Sequence, residues 1–127
     1  MLFLGDSGNG KSTSLALLQA HGFDCIADDF VPVAAQSQEI YSFPAAISVK
    51  KTSLDTLLPF YPELSDSKEY DFKVAQKIVR YLKPNNNDFS SHLPCKGLVF
   101  IKYIKDAPLS CEKIDKITAF QKLVPDS

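Results

Sequence analysis

The hydrophobic and polar positions near the N-terminus change period abruptly, and these changes predict a strand, a loop and a helix. Residues 2–4 are apolar, residues 5–12 form a polar run rich in glycine, and leucines then recur at helical spacing. The helix is predicted to end at His21-Gly22, because glycine is typical just past a helix C-terminus. A short apolar strand is predicted next, over residues 23–27.

The central part of the chain favours strands at the edge of a sheet. Residues 30–49 predict a hairpin, and its prolines fit edge or turn positions because proline cannot donate to a hydrogen-bond ladder. Thr52 or Ser53 is a suitable cap for a short helix that extends to Leu58. Residues 59–71, which are rich in proline and acidic side chains, predict a surface loop.

Three further segments complete the predicted fold. Residues 72–82 fit either a helix or a strand, and the turn signal of Lys83-Pro84 favours the strand. Residues 97–101 are apolar on both faces, as a central parallel strand should be. A last helix is predicted with Ser110 as its cap. This order of elements predicts an α/β fold, with a mixed sheet and flanking helices.

Composition narrows the class of protein. The chain has 127 residues, 45% of them hydrophobic, which predicts a single globular domain. Its net charge is −1 and its lysines are scattered, which argues against a partner such as nucleic acid or a membrane surface. No apolar run approaches the roughly 20 residues of a membrane span, and the N-terminus does not resemble a signal peptide. Cys25, Cys95 and Cys111 lack the spacing of a disulfide framework or zinc site, so reduced thiols and a cytoplasmic location are expected.

Both ends of the sequence predict truncation. The first strand has at most four residues before the loop, whereas a central strand usually has about five or six. At the other end, Pro125-Asp126-Ser127 directly follows a helical pattern that would normally lead into another strand. We therefore expect residues 1–127 to form one catalytic core that is shortened at both ends.

The glycine-rich run matches the phosphate-binding loop pattern G-x-x-x-x-G-K-[ST] in full. Its residues are Gly5, Asp6, Ser7, Gly8, Asn9, Gly10, Lys11 and Ser12. Such a loop turns successive backbone N–H groups toward an anion, which requires glycine where φ is positive or a Cβ would clash. Lys11 is then expected to bind the β- and γ-phosphates, and Ser12 to offer its hydroxyl to Mg²⁺. The N-terminus of the following helix also attracts the anion.

Asp28 and Asp29 directly follow the second predicted strand. Ligands of open α/β sheets bind at the carboxyl ends of the strands, so both carboxylates are candidates to reach a phosphate-bound metal. Adjacent carboxylates repel each other unless positive charge is near, and Mg²⁺ and Lys11 would supply that charge. We expect one carboxylate to hold Mg²⁺, directly or through water, and the other to orient or deprotonate an attacking hydroxyl.

Four other side chains are weaker candidates. Lys50 is a candidate for binding a substrate phosphate or carboxylate, with an ordinary solvated lysine as the alternative. Arg80, the only arginine, is a candidate for stabilising the transferred phosphoryl group. His21 is expected to interact with the end of the first helix. His92 has no second ligand near it in sequence, so it is not assigned to a metal.

Two parts of this sequence together resemble the HPr kinase/phosphorylase family. They are the run G-D-S-G-x-G-K-S, which is followed by a helix and Gly22, and the run A-D-D-x-V at residues 27–31. The same pattern resembles, more loosely, the ATP-dependent phosphoenolpyruvate carboxykinases, which share the nucleotide core. Residues 43–50 look like the divergent, HPr kinase-related branch of the family. The resemblance covers about the first third of the chain, and Thr13 stands where HPr kinases usually have glutamate.

The resemblance implies a P-loop nucleotide-binding core that uses ATP and Mg²⁺ to phosphorylate a serine of a protein substrate. The nucleotide would be bound by the loop together with Thr13, and Lys11 would hold its phosphates. Ser12 and Asp29 would attend the metal, and Asp28 would be the general base toward the serine hydroxyl. HPr kinases form hexamers, so a homo-oligomer is a further expectation.

Two other functions fit parts of the same pattern. A nucleotide- or phosphate-binding regulatory module without turnover is favoured by the absence of the flanking segments of HPr kinases and by the single arginine. A carboxykinase-like enzyme that acts on a small metabolite is the other alternative. The chain is short for the substrate-binding half of such an enzyme.

Overall fold

The computed structural model describes residues 1–124 and shows a small mixed α/β fold of short sheets and a few helices. Within these residues the strands are β1 (Leu2–Leu4), β2 (Glu39–Tyr41), β3 (Ile47–Lys50), β4 (Tyr70–Phe72), β5 (Lys77–Leu82), β6 (His92–Pro94) and β7 (Leu98–Phe100). The α-helices are α1 (Lys11–Ala20), α2 (Leu54–Leu57) and α3 (Lys116–Leu123), and short 3-10 helices cover Lys51–Ser53, Pro62–Ser65 and Lys73–Ala75. The predicted truncation after Pro125-Asp126-Ser127 falls outside the described residues.

The chain divides into two compact units. The first comprises residues 1–11 and 96–124, and the second comprises residues 12–95. The boundary falls within α1, which begins at Lys11 and belongs otherwise to the second unit. No helix of the described chain is long and apolar enough to span a membrane.

The first unit contains the parallel pair of β1 and β7, with Leu2 opposite Leu98 and Leu4 opposite Phe100. The amide of Ile101 extends the pair by donating to the carbonyl of Leu4 at 2.8 Å. The predicted strand over 97–101 therefore exists and is parallel, but the expectation that both its faces are buried is wrong. Leu98 is 41% exposed, and Val99 and Phe100 are half-buried.

The last helix of the first unit begins later than the sequence predicted. Ser110 does not cap it; the N-cap is Asp115, whose carboxylate accepts a hydrogen bond from the amide of Thr118 at 2.8 Å. An aspartate oxygen satisfies the unpaired N–H groups of a first helical turn as well as serine does, so the two capping signals compete. Residues 101–115 have no regular structure.

The second unit contains a three-stranded antiparallel sheet in the order β3-β5-β4 and a separate antiparallel pair of β2 with β6. Helices α1 and α2 contribute Ala16 and Leu57 to a core that also receives alternate residues of β3. The core consists of Ala16, Cys25, Ile47, Val49, Leu57, Tyr61, Leu64 and Leu82. The hydroxyl of Tyr61, in the segment predicted as a surface loop, donates to the carbonyl of Ala16 at 2.7 Å. That hydrogen bond ties part of the segment to the core.

Local patterns predicted several elements of the second unit correctly. Helix α1 ends at Ala20 and Gly22 adopts a φ of +89°, as expected just past a helix end. The ambiguous region around residue 80 is the strand β5. In the predicted hairpin, Val33 forms an antiparallel bridge with Ile40, although the only regular strand within residues 30–46 is β2.

The strand predicted over residues 23–27 is present only as an extended segment with one parallel bridge, from Ala27 to Phe43. A side chain takes the place of a neighbouring strand there. The side-chain nitrogen of Asn85 donates to the carbonyl of Phe23 at 2.8 Å, and the side-chain oxygen of Asn85 accepts from the backbone amide of Cys25 at 2.9 Å. These bonds satisfy the backbone without extending the sheet, which explains the difference from the prediction.

Arg80 holds the turn before β4. Its guanidinium donates to the carbonyl of Leu64 at 3.0 Å and to that of Ser67, and it pairs with the carboxylate of Glu69 at 3.3 Å. The side chain is 17% exposed. These partners give Arg80 a structural role in the fold.

Replacing Arg80 by alanine is expected to lower the free energy of unfolding by about 2–3 kcal/mol, because half-buried carbonyls lose their donors. Denaturant unfolding followed by far-UV circular dichroism measures this loss. Glu69→Gln is the matched control and should cost about 0.5 kcal/mol or less, since Glu69 is 40% exposed and an exposed ion pair contributes little. Equal losses for the two variants would mean that the ion pair, rather than the carbonyl contacts, stabilises the turn.

Candidate functional site

In the first unit, β1 leads into the glycine-rich loop and the loop leads into α1 at Lys11. Gly5, Gly8 and Gly10 adopt φ values of +144°, +92° and +83°, which L-residues with side chains rarely adopt. Gly5 has a second constraint: a Cβ at this position would lie 2.5 Å from the carbonyl oxygen of Ile101. The loop therefore needs glycine at these positions for backbone reasons, as the sequence predicted.

The ammonium of Lys11 is held by the loop itself. It donates to the carbonyls of Gly5 and Asp6, the latter at 3.0 Å, and the amide of Asn9 also donates to the Asp6 carbonyl at 3.2 Å. Because the loop positions this cation, a bound anion would meet a localised charge instead of a freely moving lysine. Asp6, Ser7 and Gly8 are exposed and Asn9 is half-buried.

In the second unit, the first turn of α1 is linked to the acidic pair. The hydroxyl of Ser12 donates to both carboxylate oxygens of Asp28, at 2.9 and 3.2 Å. The backbone amide of Ser48, at the start of β3, donates to one of the same oxygens at 3.3 Å. Asp28 is half-buried, whereas Asp29 is exposed. The two neighbouring carboxylates thus have different surroundings, which is a precondition for different chemical roles.

Thr13 makes a contact that sequence reasoning did not find. Its hydroxyl donates to the hydroxyl of Ser53 at 2.9 Å. Ser53 was predicted as a helix cap, but it makes no capping hydrogen bond with its side chain. No local signal could have revealed the pair, since the two residues are 40 positions apart in the chain.

The oxygen ligands around Ser12 suit Mg²⁺, which keeps waters and substrate oxygens among its ligands, better than they suit a metal ion that is bound by protein side chains alone. Ser12 and the two neighbouring carboxylates, those of Asp28 and Asp29, offer hard oxygen atoms, which Mg²⁺ prefers. Mg²⁺ usually takes one or two carboxylates and completes its shell with waters and substrate phosphates. Within residues 1–124, no three metal-ligating side chains cluster. The hydroxyl of Ser12 and one of these carboxylates are the side chains that would hold such an ion.

Of the weaker candidates, His21 and His92 have other partners. The ring of His21 contacts the carbonyl of Leu17 at 2.7 Å, at the end of α1 as predicted. His92 lies 3.2 Å from the carboxylate of Glu39 on the neighbouring strand. Lys50 is a half-buried residue at the end of β3.

Cys25 is a buried free thiol on the segment that leads to Asp28. Burial, together with the smaller effect of the Asp28 carboxylate, raises the pKa of this thiol from 9.0 to about 11. The thiol is therefore protonated at neutral pH. A buried, protonated cysteine is a poor nucleophile, which argues for a role in the core rather than in chemistry.

At pH 8 we expect iodoacetamide to alkylate Cys25 at least about tenfold more slowly than the exposed Cys111, because the thiolate is the reactive form. Peptide mapping by mass spectrometry measures both rates, and denaturant should remove the difference. Unfolding free energy should also fall as pH rises from 9 to 11, since the unfolded thiol ionises first at its ordinary pKa of 9.0. Equal alkylation rates in the folded protein would contradict the burial of Cys25.

Comparisons of the chain with protein-family models, with curated proteins and with solved structures yield no match. The glycine loop and the link between Ser12 and Asp28 are therefore the observations from which a function can be argued.

Proposed function

We propose that this chain is the core of a kinase that uses Mg²⁺ and ATP to transfer the γ-phosphoryl group to a serine or another hydroxyl acceptor. The proposal rests on one observation: Ser12, in the first turn of α1, donates a hydrogen bond to the carboxylate of Asp28. Phosphoryl transfer requires little covalent chemistry from the protein. It requires a loop that binds the phosphates, a hydroxyl and a carboxylate that hold Mg²⁺, and a carboxylate near the attacking oxygen. The sequence supplies each of these within residues 5–29.

The nucleotide phosphates are assigned to the loop and the first turn of α1, with Lys11 as the cation for the β- and γ-phosphates. Lys11 and Ser12 are consecutive residues at the start of α1. Ser12 and Asp29 are assigned to Mg²⁺, which when bound neutralises charge on the β- and γ-oxygens. Asp28 is assigned as the general base.

The proposed reaction has a simple balance. Asp28 accepts the proton of the acceptor hydroxyl while the hydroxyl oxygen forms a bond to the γ-phosphorus. The bond between the γ-phosphorus and the bridging oxygen breaks, and ADP leaves with the electron pair. Lys11 stabilises the charge on the phosphate oxygens throughout, because an ammonium group beside them offsets charge in every state of the reaction.

A nucleotide-binding module without turnover is the second candidate, and the position of Arg80 favours it. A cation beside the γ-phosphate speeds transfer, and the only arginine of the chain is engaged by the turn before β4. Lys11 is then the cation that is assigned to the phosphates. Binding alone requires the loop and Lys11 but no further charge.

Transfer from γ-labelled ATP to an array of peptides with a central serine, with alanine at that position as the control, tests the proposal. The kinase predicts label on serine peptides in the presence of Mg²⁺ and none on the alanine set. Retention of ATP by the protein without transfer to any serine peptide would favour the binding module. A folded chain that neither binds ATP nor transfers label would contradict both functions.

A further inference from the structure

Two exposed aromatic rings belong to the same part of the second unit as the acidic pair. Phe30 directly follows Asp29 in the chain and is 61% exposed, and Phe43 is 42% exposed. Their rings meet edge to face, with centroids 5.3 Å apart and an angle of 73° between the ring planes. This arrangement is favourable for two aromatic rings, so each ring helps to hold the other in place. We call these two side chains the phenylalanine pair.

The backbone attaches both members of the phenylalanine pair to the extended segment that leads to Asp28. Ala27 forms a parallel bridge with Phe43, and the amide of Phe43 donates to the carbonyl of Ile26 at 2.7 Å. Phe30 is two residues after Asp28. Since consecutive Cα atoms are about 3.8 Å apart, the Cα atoms of these two residues are separated by at most about 7.6 Å. The pair therefore belongs to the immediate surroundings of the residue that is assigned as the general base.

The phenylalanine pair adds apolar surface to a site that is otherwise polar. The carboxylate of Asp28 accepts hydrogen bonds from the hydroxyl of Ser12 and the amide of Ser48, and the neighbouring Asp29 is exposed. These polar groups suit a metal ion and a hydroxyl, but they offer nothing to an apolar group. An acceptor serine has a small side chain, so the residues around the serine must supply much of the binding energy of an acceptor peptide. Burial of an apolar side chain against the pair would supply such energy.

We propose that the phenylalanine pair is a specificity-determining subsite, and that the acceptor is a serine in a polypeptide with an aliphatic or aromatic side chain within two residues of that serine. Two residues of an extended peptide span about 6.6–7.2 Å. This span is similar to the largest separation of the Cα atoms of Asp28 and Phe30, so one extended segment can present its serine to Asp28 and an apolar side chain to the pair. A polar metabolite would leave the pair exposed to water. This inference rests on the proposed kinase activity and adds the class of acceptor.

Steady-state transfer from γ-labelled ATP to matched serine peptides tests the subsite in the full chain. The two peptides of each pair differ at one of the four positions within two residues of the serine, where one carries leucine and the other carries asparagine, a polar side chain of similar size. At one or more positions, we expect the leucine peptide to exceed the asparagine peptide about tenfold or more in kcat/KM. The gain should come from a lower KM with little change in kcat, because the pair contacts a part of the acceptor that does not react.

Phe30→Ala should remove most of the preference for leucine and leave transfer to the asparagine peptide unchanged. Phe72→Ala is the matched control, because the ring of Phe72 is 41% exposed and β4 is separated from β3 by β5. This control should keep the full preference for leucine. If Phe30→Ala fails to fold by circular dichroism, Phe30→Gln replaces it and is judged by the same comparison.

The other outcomes contradict the subsite, and they separate its failure from that of the kinase. Equal kcat/KM for leucine and asparagine peptides at all four positions would overturn the subsite and leave the kinase activity standing. A preference that survives in Phe30→Ala, or that is lost in Phe72→Ala, would also overturn the subsite alone. A change from dimer to monomer in Phe30→Ala by sedimentation, with the leucine preference unchanged, would identify a second copy of the chain as the occupant. Absence of transfer to every serine peptide by the folded chain would contradict the kinase and this inference together.

Discussion

Replacing Asp28 by asparagine is expected to lower phosphoryl transfer by about 10²- to 10⁴-fold, the range lost with a general base. Binding of Mg²⁺ and ATP should change little, since asparagine keeps the shape of the side chain and one acceptor oxygen for the Ser12 hydroxyl. Single-turnover transfer from γ-labelled ATP to a serine peptide measures the first quantity. Calorimetric titration of ATP measures the second.

Asp29→Asn is the matched control for this variant. If Asp29 attends the metal, its replacement should raise the Mg²⁺ concentration needed for ATP binding and leave the pH dependence of transfer unchanged. The opposite pattern, in which Asp28→Asn weakens the metal and Asp29→Asn removes transfer, would exchange the two roles. Unchanged turnover in Asp28→Asn would show that the assignment of Asp28 as the base is wrong.

Replacing Gly5 by alanine is expected to lower the stability of the first unit by about 3 kcal/mol or more, because overpacking and backbone strain combine at this position. The new Cβ would lie 2.5 Å from the carbonyl oxygen of Ile101, and Gly5 has a φ of +144°. Relief of this clash requires the loop or the end of β7 to move. Hydrogen exchange of the Ile101 amide, which donates to Leu4, reports on the pairing of β1 with β7.

Gly8→Ala separates the clash from the effect of positive φ. Gly8 has a φ of +92°, but no atom lies within 4 Å of the position that a Cβ would occupy. Only backbone strain remains, so a loss of about 1–2 kcal/mol is expected. Unchanged exchange of the Ile101 amide in Gly5→Ala would contradict the close approach of Gly5 to Ile101.

The parts of the fold that follow from neighbouring residues could be predicted from the sequence. The strand, the glycine loop and α1 were predicted because their signals lie within a few residues, and the end of α1 before Gly22 has a local cause. Strand β5 was predicted by a turn signal that directly follows it. The roles of Lys11, Ser12, Asp28 and Asp29 in binding and catalysis stay predictions.

The parts that depend on distant residues could not be predicted. The side chain of Asn85, about 60 positions away in the chain, forms hydrogen bonds with the backbone of residues 23–25. These bonds take the place of the strand pairing that the apolar pattern favoured. Arg80 was a candidate for stabilising the phosphoryl group, and nothing in the sequence reveals the carbonyls of the turn to which it donates. The contact of Thr13 with Ser53 could not be predicted either, because the two residues are 40 positions apart in the chain.

The proposed function depends most directly on whether the glycine loop and Lys11 bind a nucleotide. Calorimetric titration of ATP into the chain, with Mg²⁺ and with EDTA, measures this, alongside Lys11→Ala and the control Lys113→Ala. We predict binding that requires Mg²⁺, is kept in Lys113→Ala, and is weakened at least about tenfold in Lys11→Ala by loss of charge-assisted hydrogen bonds to phosphate. Absence of binding to the folded wild-type chain, or equal affinity in Lys11→Ala, would contradict the account.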